Sequence, residues 1–160
     1  MEMLSRKWKT VDGQKLGDPA AAIAEALRGV KVVYVGTDSQ QDRQRTQFVT
    51  VIVIHTPTKG GRALYTVESV PRIKSLRERL LKEVWMSVQL AIEISPMIRE
   101  DSKLEVHVDA NPSTKFKSSK YVKELTSLVV SQGFEAVLKP DAWAAMHVAD
   151  HIVKGHVINR

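Results

Sequence analysis

The order of strand-like and helix-like segments is the feature that most constrains the fold of this chain of 160 residues. Three β-branched segments follow one another at residues 32–37, 48–55 and 63–69, which predicts an antiparallel meander. From Ile73 to about Ile94 the apolar residues recur with helical spacing. Later strands alternate with helices and must therefore pair in parallel. The order predicts an α/β fold with a mixed five-stranded sheet, three antiparallel strands and then parallel ones, and helices on both faces.

The remaining segments complete this order. A leading helix is predicted at residues 19–27, with Asp18 as its cap and Gly29 as its stop. The later elements alternate between strand and helix and are predicted at residues 104–109, 118–131, 135–138 and 141–154. We interpret residues 1–30 as an N-terminal extension with a short helix and residues 31–160 as the main domain.

The composition limits the class of protein. The chain has no cysteine, which excludes disulfides and thiolate zinc sites and is typical of a reducing compartment. No apolar run approaches the roughly 20 residues that cross a bilayer, and the first 30 residues lack the apolar segment of a secretory signal. We therefore expect a cytoplasmic protein without a membrane partner.

Two predicted strands each end in a carboxylate. The segment VVYVGTDSQ leads from Val32 into Asp38, and the segment KLEVHVDANP leads from Lys103 into Asp109. In open α/β sheets, ligands gather at the carboxyl ends of parallel strands. We therefore expect both carboxylates at one shared site. The alternative for Asp38 is a polar turn, because Asp and Ser readily bond their own backbone.

Further acidic side chains are candidates for the same site. Glu83 falls within an otherwise mostly apolar stripe of the long helix, where a carboxylate is unfavourable unless it is paired or bound to a metal. Alternatively, Glu83 reaches water or pairs with Arg79 or Lys82. On the last predicted helix, Asp141 directly follows a strand and is expected at the same sheet edge. Its rival, Asp150, would lie about 13 Å further along the helix.

Four carboxylates without cysteine suit hard, oxygen-seeking cations such as Mg²⁺ or Mn²⁺. Two such ions would orient a water nucleophile and stabilise the leaving oxygen during in-line displacement at a phosphate. The acidic residues therefore favour hydrolysis of phosphodiester bonds.

The formal net charge of +6 is concentrated in two clusters. The first cluster comprises Arg72, Lys74, Arg77, Arg79 and Lys82, and the second comprises Lys115, Lys117, Lys120 and Lys123. Such clusters favour a polyanionic partner, although exposed helices are also rich in Lys and Arg for solubility. We expect nucleic acid to contact Lys74, Arg77, Lys115, Lys117 and Lys120. Phe116 and Tyr121 lie among the lysines of the second cluster and would allow base stacking, or either ring belongs to the core.

Together these motifs resemble the ribonuclease H fold, with an aspartate on the first main strand, a glutamate in KEVWMSVQLA, an aspartate closing the fourth strand and another opening the last helix. More narrowly, VGTDSQ, EVHVDANP and GFEAVLKPDAWAAMHVAD are similar to the YkuK-like group of predicted ribonuclease H-like proteins, over about residues 32–154. The resemblance implies a two-metal nuclease whose catalytic ligands are Asp38, Glu83, Asp109 and Asp141, with Asp150 as the rival for the last place. In one respect the chain departs from ribonuclease H itself, because Ser39 and Gln40 replace the usual Gly-Ser pair.

We therefore expect a metal-dependent nuclease acting on RNA, DNA or an RNA/DNA hybrid. One alternative is an endonuclease like the Holliday-junction resolvases, for which dimerisation and a preference for four-way junctions would be diagnostic. Another alternative is a catalytically silent nucleic-acid-binding module of the same fold.

Overall fold

The computed structural model describes residues 2–56 and 60–139. Within these residues, one sheet contains the strands β1 (Trp8–Thr10), β2 (Val32–Gln41), β3 (Arg45–Thr56), β4 (Gly60–Pro71), β5 (Lys103–Val108) and β6 (Glu135–Leu138). The α-helices are α1 (Pro19–Leu27), α2 (Leu76–Ile94) and α3 (Val122–Ser131), and 3₁₀-helices span Ser95–Met97 and Lys117–Tyr121. The last predicted helix, from Asp141 onward, lies outside the described residues.

The sheet combines an antiparallel half with a parallel half. Strand β3 pairs antiparallel with both β2 and β4, whereas β5 pairs in parallel with β2 and β6. This confirms the predicted mixed sheet, but the predicted number of five strands was too low by one. Strand β1 joins the edge by pairing antiparallel with β4, and the full order is β1-β4-β3-β2-β5-β6. A three-residue strand is too short to leave an alternating pattern in the sequence.

The main apolar core joins one face of the sheet to all three described α-helices, so the described residues do not show the predicted helices on the second face. Sheet residues such as Val35 and Val106 meet Val84 of α2, Leu27 of α1 and Val129 of α3 in this core. A smaller apolar cluster, centred on strand residues of β3 and β4, covers part of the opposite face. The sheet therefore has apolar side chains on both faces, and α2 lies directly over the strands that carry the predicted carboxylates.

The first residues of the chain also pack into the main core. Met3 and Trp8 are buried there, and the Trp8 indole N–H donates to the Met3 carbonyl oxygen at 2.8 Å. The carboxylate of Glu93 in α2 accepts from the backbone amides of Met3 and Leu4 at 3.0 and 3.1 Å. The division of the chain into an extension over residues 1–30 and a main domain stays a prediction.

Side-chain caps explain where α1 and α2 begin. Asp18 accepts from the backbone amide of Ala21 at 3.2 Å, as predicted for α1. The Ser75 hydroxyl accepts from the backbone amide of Glu78 at 3.2 Å, so α2 begins at Leu76 and not at Ile73. None of the helices in the described part of the chain combines the length and apolar character that a membrane span requires.

Candidate metal centre

The predicted strand carboxylates lie where two parallel strands separate. The pairing of β2 with β5 ends at Gly36 and His107. Asp38 lies two residues after Gly36 within β2, and Asp109 lies two residues after His107, directly after the end of β5. Strand β2 does not stop at Asp38, because it stays paired with β3 and Asp38 faces Val49 in that register. The sequence DSQ favours a turn locally, but pairing with β3 overrides that preference.

Helix α2 brings a third carboxylate to the same place. Glu83 is only 3% exposed although it is charged at neutral pH in water. One carboxylate oxygen each from Asp38, Glu83 and Asp109 lie within 4.8 Å of one another. The structure therefore gathers three of the predicted site residues, which we call the acidic cluster. The two candidates for the fourth ligand, Asp141 and Asp150, lie outside the described residues.

Hydrogen bonds orient two members of the acidic cluster. The hydroxyl of Ser39 donates to Glu83 Oε2 at 2.5 Å, and the backbone amide of Ser39 donates to Asp38 Oδ1 at 2.8 Å. The other oxygen, Glu83 Oε1, is buried and accepts no hydrogen bond within the described residues. A buried acceptor without a partner is unfavourable, and a cation at this oxygen would satisfy it.

The proximity of the carboxylates perturbs their protonation. Burial, followed by the nearby charge and hydrogen bond of Asp109, raises the pKa of Asp38 to about 8. Burial and then the charges of Asp109 and Asp38 raise the pKa of Glu83 well above its usual range. Burial acts in the same direction on Asp109, but hydrogen bonding with Asp38 and the charge of Lys139 outweigh it and lower its pKa. The raised pKa values of Asp38 and Glu83 favour their protonated forms, and a divalent cation would compete with these protons.

Lys139 supplies a positive charge beside the acidic cluster. Its Nζ atom lies 2.5 Å from Asp109 Oδ1. Burial opposes the charged form of this lysine, but Asp109, Asp38 and Glu83 together raise its pKa. Sequence reasoning missed Lys139, although a signal was present: it directly follows the parallel strand β6, just as Asp109 directly follows β5.

A cleft of about 320 Å³ opens onto the acidic cluster. Besides Ser39, Glu83 and Asp109, its lining includes the cationic residues Arg79, Lys117 and Lys139. Three cationic side chains beside an acidic site suit a substrate that carries phosphates.

Only one of the five lysines and arginines predicted to contact nucleic acid lines this cleft, namely Lys117. Arg77 pairs with Glu124 at 2.8 Å, and Lys120 lies over the ring of Tyr121. Lys74 and Lys115 are exposed. The role of all five in binding nucleic acid stays a prediction.

Buried hydroxyl groups hold α2 in place on β2 next to the cluster. Thr37 Oγ1 lies 2.7 Å from Ser87 Oγ and 3.0 Å from Thr50 Oγ1. Ser87 follows Glu83 by one helical turn. These hydrogen bonds therefore help to fix the position of Glu83 along the direction of β2. The hydrophobic pattern of the sequence contained no signal for this network.

Ser39→Ala is expected to weaken Mn²⁺ binding by about 10- to 100-fold, because a partner that orients a metal-binding carboxylate typically contributes that much. The variant removes the hydroxyl that donates to Glu83. Titration calorimetry with Mn²⁺ measures the effect, and Ser39→Thr, which keeps a hydroxyl, is the matched control. Equal affinities of wild type and Ser39→Ala would contradict this assignment.

Comparison with known proteins identifies relatives of this chain. Residues 20–154 match the family model described as Ribonuclease H-like. The chain is 30% identical over 147 residues to the uncharacterised protein YkuK of Bacillus subtilis (strain 168), covering 84% of this chain and 86% of that protein.

Two solved structures are also similar. One is RNase H1 from the halophilic archaeon Halobacterium salinarum NRC-1, with 10% identity, 81% of this chain and 99% of that chain covered, and a TM-score of 0.47. The other is the N-terminal RNase H domain of Rv2228c from Mycobacterium tuberculosis, with 12% identity, coverages of 81% and 98%, and a TM-score of 0.34. The match to the family model and the identity with YkuK confirm the resemblance found in the sequence. The chain belongs to the ribonuclease H-like family.

Proposed function

We propose that this protein is a metal-dependent nuclease that hydrolyses phosphodiester bonds of nucleic acid by a two-metal-ion mechanism. Membership of the ribonuclease H-like family supports a nuclease-like or nucleic-acid-binding role. The observation that carries the more specific proposal is the acidic cluster, whose three carboxylates lie within 4.8 Å of one another. Carboxylates that repel one another at this distance are expected where a cation compensates their charge.

The donor set of the cluster fits Mg²⁺ or Mn²⁺, since all its ligand atoms are carboxylate oxygens. The buried, unpartnered Oε1 of Glu83 fits a direct role in holding an ion. We propose Asp38, Glu83 and Asp109 as ligands, with Asp141 as the fourth and Asp150 as its rival. When bound, the ions would supply Lewis acidity for attack of water on the phosphodiester.

The surrounding side chains have separate roles in this proposal. Ser39 keeps Glu83 oriented towards the cluster through its hydroxyl. Arg79 and Lys117 line the cleft and would neutralise phosphates of the bound strand. Lys139 balances the negative charge of Asp109 before metal is bound.

Cleavage assays test the proposal. Labelled hybrid, duplex, single-stranded and four-way-junction substrates would be incubated with Mg²⁺, with Mn²⁺ or with a chelator. We expect cleavage of at least one substrate with either metal and none with the chelator. Salt-sensitive binding without cleavage in any divalent metal would overturn the proposal in favour of a silent binding module. Cleavage confined to junctions by a dimer would instead identify a resolvase-like endonuclease. A homodimer stays an expectation of the resolvase-like alternative, and a cytoplasmic location stays a prediction from the sequence.

Lys139→Met is expected to strengthen Mn²⁺ binding by about tenfold. The variant removes the ammonium group whose positive charge repels a cation at the acidic cluster. Calorimetric titration with Mn²⁺ provides the measurement. The control is Lys103→Met at the opposite end of β5, where Lys103 pairs with Glu105 at 3.1 Å. Weaker binding by Lys139→Met would show that the ammonium group serves mainly to order Asp109.

A further inference from the structure

Phe116 is an exposed aromatic residue at the cleft that holds the acidic cluster. It is 51% exposed and lines the same cleft as Glu83 and Lys117. The other ring of the second basic cluster, Tyr121, packs against the main core and lies under Lys120, whose Nζ is 5.5 Å from the ring centroid. Of these two rings, Phe116 is the one that is open to a ligand.

Hydrogen bonds hold the backbone around Phe116. The Phe116 amide donates to the Ser113 carbonyl oxygen, and the Ser119 amide donates to the Phe116 carbonyl oxygen, both at 3.1 Å. The Ser113 amide in turn donates to Asn111 Oδ1 at 2.9 Å. Asn111 follows Asp109 by two residues, so a short hydrogen-bonded loop connects the ring to the acidic cluster. The ring is therefore placed beside the cluster without being buried.

We propose that Phe116 stacks on an unpaired base and that this cleft therefore takes single-stranded nucleic acid. The inference rests on the proposed nuclease function of the same cleft. An aromatic side chain stacks on a base only where a base face is free, and within a duplex the neighbouring base pairs cover both faces. Because Phe116 lines the same cleft as Glu83 and Asp109, we expect a base attached to a phosphate at the acidic cluster to come within reach of the ring.

The charges around the ring agree with a single strand as the ligand. Lys117 directly follows Phe116, and Arg79 lines the cleft as well. A cationic groove combined with a stacking ring is the usual means of binding single strands without regard to sequence, since every base has an aromatic face. We therefore expect little base preference at this position.

Binding measurements without turnover test this inference. Fluorescence anisotropy with short labelled single strands of DNA and of RNA, and with a blunt duplex of the same length, would be recorded in the presence of a chelator. Wild type is expected to favour single strands over duplex. Phe116→Ala is expected to lose about tenfold in single-strand affinity, which corresponds to one base–aromatic stack. Phe116→Trp should retain it and show additional quenching of indole fluorescence.

Trp85→Ala is the matched control, because Trp85 is also exposed, at 48%, but does not line the cleft. It should bind single strands like wild type. Unchanged single-strand affinity in Phe116→Ala, or a wild-type preference for duplex, would overturn the inference. Loss of binding in Phe116→Ala when wild type cleaves nothing would refute the nuclease proposal alone. Cleavage with binding that does not depend on Phe116 would refute the stacking inference alone. Comparison of the DNA strand with the RNA strand shows which of the two nucleic acids supplies the unpaired base.

Discussion

Asp38→Asn and Asp109→Asn are each expected to reduce Mn²⁺-supported cleavage by more than about a hundredfold, since loss of even an outer partner of a metal ligand costs 10- to 100-fold. Each substitution replaces a charged oxygen ligand of the acidic cluster by a neutral amide of nearly the same shape. Single-turnover cleavage of the best substrate, at saturating Mn²⁺, measures the loss. The circular dichroism spectra of both variants should match that of wild type.

The control for these variants is Asp101→Asn. Asp101 lies before β5, at the end of the strand opposite Asp109, and forms an exposed ion pair with Arg99 at 2.9 Å. Its replacement changes the net charge in the same way but leaves the acidic cluster intact, so wild-type cleavage is expected. Unaltered turnover in either Asp38→Asn or Asp109→Asn would end the nuclease proposal.

Asp38→Asn is also expected to stabilise the metal-free protein at neutral pH. The pKa of Asp38 is raised to about 8 by burial and by Asp109, against about 4 in the unfolded chain. A carboxyl with a raised folded-state pKa binds a proton on folding. Its favourable contribution is therefore complete below about pH 4 and is lost as the pH rises towards 8. The free energy of unfolding of the metal-free wild type should fall across this window.

The amide variant should show a flatter pH dependence and a gain of roughly 1–3 kcal/mol at pH 7.5. This gain is well below the free energy that the whole pKa shift of Asp38 would give. The pKa of Asp109 is lowered, so Asp109 contributes to stability with the opposite sign. Urea denaturation in chelator, at several pH values between 5 and 8, gives the comparison. Added Mn²⁺ should reverse the order, since a ligand that binds only the folded state stabilises it. Lower stability of Asp38→Asn in chelator at pH 7.5 would contradict the prediction.

The convergence of the acidic cluster followed from the sequence because it depends on regular periodicity. A carboxylate after a parallel strand reaches a known edge of the sheet, which placed Asp38 and Asp109. Helical spacing placed Glu83 on the buried face of α2, where it is only 3% exposed. The predicted C-terminal end of β2 was wrong, but this error did not change the predicted position of Asp38. The pairing of β2 with β5 ends just before Asp38 and leaves it at the same edge of the sheet.

Other parts of the site depend on side-chain directions, which periodicity does not provide. Ser39 entered the sequence interpretation only in the alternative of a polar turn and as a departure from the Gly-Ser pair, whereas its hydroxyl donates to Glu83 from within a paired strand. Spacing likewise does not reveal which basic side chain turns towards the cleft. Arg77 is engaged by Glu124, while Arg79, only two residues later, lines the cleft.

The hydroxyl contacts between β2, β3 and α2 have a consequence for anyone who wishes to transplant this site. A hydrogen bond tolerates little change in its donor–acceptor distance, so the contact between Thr37 Oγ1 and Ser87 Oγ at 2.7 Å restricts shifts of α2 along β2. In a scaffold that received only the three carboxylates, the helix would be free to sit at a different position along the sheet. The carboxylates would then lie too far apart to bind one ion. A successful graft would have to carry Thr37, Thr50 and Ser87 along with them.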